Sequence, residues 1–236
     1  MRDASRAAVI AAILTIITLG ACSYSPSRTT ATDGSLEAGA DGSGAGDADP
    51  DGGPADGPMA ITLSQTTGPS GPGIAQAVGC TTNGGATIAD GAWYRVFPLA
   101  SFGITGTFTL TKVSFWVWKT QGARTATVNI GTYTGAFQGT AFQPSQLQSL
   151  HQGDVTAPSS APPGQLVTAT LVTPIVINAA ATPQIAIKIS SGDLLLGEAA
   201  SQTAYGYFGS NTCGGTAALP PDAPGSPFIL TLEGTR

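Results

Sequence analysis

His151 is the only histidine in the chain, and Asp154 follows it three residues later. A Ser-His-Asp arrangement would have to be assembled from this pair and one of many serines. No Gly-x-Ser-x-Gly turn presents a nucleophile, so His151 reads as a solvent-exposed loop residue. Acid pairs for glycosidic chemistry would be drawn from Asp90, Asp154, Asp193, Glu198 and Asp222, whose distances apart in sequence do not favour any one pair. The same carboxylates could give oxygen ligands to a structural calcium ion. The residue types therefore lead to the expectation of no catalytic centre and no required cofactor.

Binding chemistry is better provided for. Trp116 and Trp118 are two residues apart in a stretch where Val113, Phe115 and Val117 alternate with them, so on a strand both indoles leave the same face, opposite the apolar one. Exposed, they would stack on sugar rings, and Thr125, Thr127, Asn129 and Tyr133 on the following segment would add hydroxyls and an amide. The other reading is that a second sheet or a long loop covers both tryptophans. Arg95 alternates with Trp93 and Phe97, which places it as a buried or half-buried partner of an acid such as Asp90.

These side chains need strands to hold them. From residue 59 onward β-branched and aromatic residues alternate at period two between Gly, Pro and Asn turns, giving strands at 60–64, 93–99, 113–118, 125–130, 165–171, 184–190, 205–208 and 227–233. Gln121-Gly122-Ala123 would join the third and fourth as a hairpin. Residues 143–164 are polar and Pro-rich and read as a long loop, with a weak strand near 146–150. Many short strands and no helical pattern predict an all-β, antiparallel sandwich of the jelly-roll kind over residues 59–236, large enough to bury its own core.

Charge is uneven. Only 10% of residues are charged and the formal net charge is −5, but Asp33, Glu37, Asp41, Asp47, Asp49, Asp51 and Asp56 all precede the sandwich region. Within 59–236 six acids face six basic residues with no basic cluster, which excludes the electrostatic footprint of a nucleic-acid binder. Residues 22–58 are Ser, Thr, Gly, Ala, Asp and Pro with little that could form a core, and read as a disordered tether. Asp47, Asp49, Asp51 and Gly52 imitate the opening of an EF-hand loop, but Pro58 stands where the closing glutamate belongs.

Arg2 and Arg6 precede an apolar run from Ala7 to Leu19, shorter than a membrane span and suited to an export signal. Leu19-Gly20-Ala21-Cys22 at its end resembles the bacterial lipobox. The resemblance implies cleavage after residue 21, acylation of Cys22 and anchoring by two or three acyl chains. Ser23 in the next position then favours the outer membrane. With Cys22 given to lipid, Cys80 and Cys213 are the remaining pair, and an oxidising compartment favours a disulfide.

Asp90-Gly91-Ala92-Trp93-Tyr94-Arg95-Val96-Phe97, the Gly103-Ile104-Thr105-Gly106 turn, Thr127-Val128-Asn129-Ile130 with Tyr133-Thr134-Gly135, and Tyr207-Phe208-Gly209-Ser210-Asn211 before Cys213 together resemble a family of secreted bacterial β-sandwich domains that has no assigned activity. Trp93 stands where that family commonly has Tyr. The resemblance implies a jelly-roll accessory module without catalytic residues. The expected protein is a lipid-anchored, extracytoplasmic, non-catalytic module whose partners are the membrane through its anchor and a surface polysaccharide or an envelope protein. A purely structural envelope role and a hydrolase of unrecognised type are the alternatives.

Overall fold

The structure is a computed structural model that describes residues 57–67, 77–83, 86–139, 141–160, 164–219 and 228–236. Cys22, the signal-like run, the tether with its calcium-loop imitation and Asp222 lie outside the described residues. Chain contacts separate a unit at Met1–Gly52 from one at Gly53–Arg236, and only the second is described.

Its strands, in chain order, begin with β1 (Ala60–Ser64), β2 (Thr66–Thr67), β3 (Ala77–Val78), β4 (Thr81–Thr82), β5 (Thr87–Ile88) and β6 (Gly91–Pro98). Then come β7 (Thr107–Thr120), β8 (Arg124–Tyr133), β9 (Leu147–Ala157), β10 (Gln165–Asn178) and β11 (Gln184–Ser191). The last are β12 (Leu194–Gly197), β13 (Ser201–Gln202), β14 (Gly206–Gly209), β15 (Thr216–Leu219) and β16 (Leu230–Thr235). Apart from two small ribbons, β2 with β13 and β4 with β5, they form two six-stranded antiparallel sheets. In the first, β7 pairs with β10 along one side and with β16 and β12, end to end, along the other, and β1 and β3 lie outside those. The second runs β15-β14-β6-β11-β8-β9. The chain shuttles repeatedly between the two, which is the wrapping expected of a jelly-roll sandwich. Where β9 and β10 lie side by side, the sheets curl into a half-barrel.

Alternation fixes what is buried. Trp93, Phe97, Val113, Phe115, Val117, Val128, Ile130, Ile185, Ile187 and Ile189 face one another between the sheets. In β7 the buried set is Phe108 and Leu110, then Val113, Phe115 and Val117. The change from even to odd positions comes from a bulge: Lys112 pairs with Glu233 and Leu110 with Gly234, leaving Thr111 unopposed. The Thr111 hydroxyl donates to the Glu233 carbonyl at 3.0 Å. That parity flip hides the first half of β7 from a simple period-two reading, which starts the strand at Val113.

Two local expectations are corrected. The turn at Gln121-Gly122-Ala123 does not close a hairpin, because β7 and β8 belong to different sheets and the turn crosses between them. Both strands are amphipathic, and facing each other across the core buries both apolar faces, which side-by-side pairing would not do. Residues 143–164 are not mainly loop: β9 pairs with β8 from Arg124↔Ala157 to Tyr133↔Leu147. As an edge strand it is polar and exposed along most of its length, so its pattern resembles a loop.

Candidate functional site

Trp116 and Trp118 leave β7 on its outer face, as their spacing predicts, and both are half-buried. A Cβ added to Gly197 would lie 2.5 Å from the Trp116 ring, and one added to Gly164 would lie 2.8 Å from its indole nitrogen. The indole is thus bedded against β12 and the start of β10. Thr125, Thr127, Asn129 and Tyr133 lie on the other sheet, so the two halves of the anticipated site are not brought together. Tyr133 is buried in a cluster of its own. Phe142 stacks on Tyr133 at 4.5 Å and on Tyr94 at 4.4 Å, with Tyr207 at 5.5 Å. The Tyr133 hydroxyl accepts from the Gln143 amide at 3.1 Å, and that of Tyr207 from the Gln138 amide at 3.0 Å. Through these contacts residues 134–139 and 141–146 cover one half of the outer face of the second sheet. Burial raises the pKa of Tyr94 and of Tyr207, so neither phenol is available as a base near neutral pH.

The other half of that face is open and forms a groove of about 670 Å³. Strand register builds its floor. Gly209, Ala92, Ser190, Thr127 and Asp154 stand in one row across β14, β6, β11, β8 and β9, and Tyr207, Tyr94, Lys188, Asn129 and Gln152 in the next. The Thr127 hydroxyl donates to Asp154 Oδ1 at 2.7 Å, and Asn129 Nδ2 donates to Gln152 Oε1 at 3.3 Å. Lys188 Nζ lies 5.8 Å from the centre of the Tyr94 ring. Hydroxyls of Thr125, Ser190, Ser191 and Ser210 and the Asn211 side chain complete the lining.

One wall is the loop after β14, and Asp90 holds it. Asp90 Oδ2 accepts from the Asn211 amide at 2.7 Å, and Oδ1 accepts from the Thr212 amide at 3.1 Å, the Ser210 hydroxyl at 3.2 Å and the Thr212 hydroxyl. The bond from the Thr212 hydroxyl and that from the Asn211 amide hold the Asp90 carboxyl below the usual range, against a smaller opposing effect of burial. The Cys80–Cys213 disulfide, with Cα atoms 6.0 Å apart, ties the same loop to the segment before β4. Asp90 is therefore not the partner of Arg95, which corrects that expectation. Arg95 points inward and is fully buried. Its Nη2 donates at 2.7 Å to Gln202 Oε1 and at 2.7 Å to the Phe228 carbonyl, and the guanidinium lies 4.4 Å from the Phe228 ring centre. Desolvation lowers its pKa to about 9.

His151 and Asp154 border one smaller pocket of about 160 Å³ but leave β9 at positions of opposite parity. His151 stands on β9, half-buried opposite the core residue Ile130, whereas Asp154 stands opposite Thr127 and bonds it on the outer face. Asp193 pairs with Arg124 at 3.2 Å. No group of three or more His, Cys, Asp or Glu side chains gathers among the described residues. Sequence reasoning overlooked Lys188, Ser190, Ser210 and Asn211. The motif residues Asp90 and Ser210-Asn211 were the available signal for the last two, whereas only sheet order brings Lys188 to the groove. Comparisons of this chain with protein-family models, with curated proteins and with solved structures found no match.

Proposed function

We propose that the chain is a lipid-anchored, non-catalytic module of the bacterial envelope that binds a polyhydroxylated ligand, a surface polysaccharide, in the groove on the outer face of its second sheet. The observation that carries this reading is the groove lining: Thr125, Thr127, Ser190, Ser191, Ser210 and Asn211, hydroxyl and amide residues, border a volume of about 670 Å³. That volume is within the range of sites that hold a small ligand, and paired hydroxyls and amides match sugar hydroxyls, which both donate and accept. Anchoring rests on the lipobox resemblance at Cys22, and the disulfide agrees with an oxidising compartment.

The test is glycan binding by the detergent-solubilised full chain beside two folded variants. Ser190→Tyr fills the groove floor, and Trp116→Ala/Trp118→Ala strips the opposite face. Loss of binding in the first variant alone supports the groove. Loss in the second alone moves the site to the first sheet, and no binding by the parent chain overturns the saccharide reading. A protein-interaction role is the second reading, favoured by exposed apolar side chains along β10: Leu166 at 53%, Val172 at 100% and Val176 at 68% exposure.

A further inference from the structure

Lys188 stands in the middle of the groove floor, over the Tyr94 ring and with no carboxylate partner among the described residues. Its cross-strand neighbours are Tyr94 and Asn129, neither of them acidic. The carboxylate that also lines the groove, Asp90, is occupied by four donors of the 210–212 loop. The ion pairs found among the described residues, Lys112–Glu233 and Arg124–Asp193, lie elsewhere and leave Lys188 out. The residue is half-buried, and its ammonium lies 5.8 Å from the centre of the Tyr94 ring. Thr127, Ser190 and Ser191 line the same groove; the Thr127 and Ser191 hydroxyls donate to Asp154 Oδ1 and to the Thr125 carbonyl and so offer lone pairs to a bound group.

We propose that the ligand of this groove is an acidic saccharide, a sugar unit bearing a carboxylate, whose anionic group pairs with Lys188 while its hydroxyls engage the Thr127, Ser190 and Asn211 side chains. This inference rests on the saccharide reading of the groove and adds to it the charge of the ligand. A neutral sugar would give the ammonium only a neutral oxygen to bond. A carboxylate turns the same contact into a hydrogen-bonded ion pair, in which both donor and acceptor carry charge. The small number of charges in the groove also makes the preference specific: one cation selects one anionic group per bound segment, unlike the basic stripes that take nucleic acids or sulfated chains indiscriminately.

The experiment measures binding of the full chain, in detergent, to a panel of uronate oligosaccharides and to the same oligosaccharides after reduction of their carboxyl groups to alcohols. The parent, Lys188→Gln and Lys188→Arg are compared, each checked for an unchanged melting temperature. The expected result is binding to at least one uronate oligosaccharide and a loss of tenfold or more, on the order of one charged hydrogen bond, when either the carboxylate or the ammonium is removed. Lys188→Arg should retain most of the affinity, and binding should weaken as salt rises from 20 to 500 mM (roughly the range over which the Debye length falls well below 10 Å). Equal binding of reduced and unreduced sugars, unchanged in Lys188→Gln, overturns the acidic preference and leaves the saccharide groove standing. Binding of neither form overturns both.

Discussion

Removing the disulfide by Cys80→Ala/Cys213→Ala should be the most damaging change that leaves every strand intact. The bridge spans 133 residues of sequence, and that loop encloses β4 through β14, most of both sheets. In the chain-entropy model a cross-link over a loop of this size removes about 5 kcal/mol of denatured-state freedom at 25 °C. For a domain of roughly 180 residues, a loss of about 5 kcal/mol lowers Tm by about 10 to 20 °C. The assay is urea unfolding followed by tryptophan fluorescence, with Trp93, fully buried and donating its indole N–H to the Val78 carbonyl at 2.9 Å, as the core reporter. The denatured state of the variant is also less compact, so the dependence of stability on urea should steepen. A Tm within about 2 °C of the parent, or a parent whose stability is unchanged by reduction, would refute the reasoning, because the bridge would then constrain nothing that folding must otherwise order.

Three further outcomes follow from the same geometry. The Asp90 carboxyl is held below its ordinary value of 3.8, so its grip on the 210–212 loop is complete above that value and is lost as pH falls through the depressed folded pKa. Protection of the Asn211 and Thr212 amides against hydrogen exchange, taken relative to their intrinsic rates, should fall on acidification, and Asp90→Asn should bring that fall to neutral pH; protection in the variant equal to the parent's would sink the assignment. Arg95→Ala should cost about 3 kcal/mol or more by leaving the Gln202 oxygen and the Phe228 carbonyl without their donor and opening a cavity, whereas Arg95→Met, which keeps the volume, should cost less. Because burial lowers the Arg95 pKa to about 9, the unfolded chain binds more protons than the folded one above that value, and the parent should gain stability relative to Arg95→Met as pH rises beyond it. A parallel pair of stability curves would contradict the burial of its charge. Gly131→Ala places a methyl against the Gln148 carbonyl oxygen where β9 bulges beside β8. It should cost about 1 to 3 kcal/mol and raise proteolysis within residues 147–157, and no change in either would mean that the edge strand yields freely.

Legibility in the sequence followed how many faces of a strand are constrained. β1, β6 and β11 were readable nearly to the residue, since Trp93, Phe97, Ile185, Ile187 and Ile189 impose strict alternation against a solid core. β9 was not, because an edge strand that buries little carries Gln148, Ser149, Gln152 and Asp154 without penalty. The two-residue strands β2 and β13 were invisible: they pair through backbone atoms, and their selection depends on the buried Gln202 reaching Arg95 across 107 positions of sequence. The groove was half legible. Thr125 and Thr127 were singled out, but they were joined to Trp116 and Trp118 by assuming that successive strands pair. Alternation reveals which side of a strand is polar and carries no information about which sheet the strand joins, and that choice moved the tryptophans to the opposite surface.

β16 pairs with β1 from Ala60↔Thr235 to Ser64↔Thr231 and with β7 on its other side, and Met59 and Arg236 exchange backbone bonds at 2.9 and 3.0 Å. The first strand of the sandwich therefore has its ladder partner in β16, with every other described strand between the two in sequence. Among the described residues β1 has no other strand to join, so its docking waits until β16 is available. Closure by such distant contacts is slow, and until it occurs the edges of β7 and β1 stand open to other chains. A chain cut after Ile229 would lack β16, and both edges would stay open however long it was given to fold.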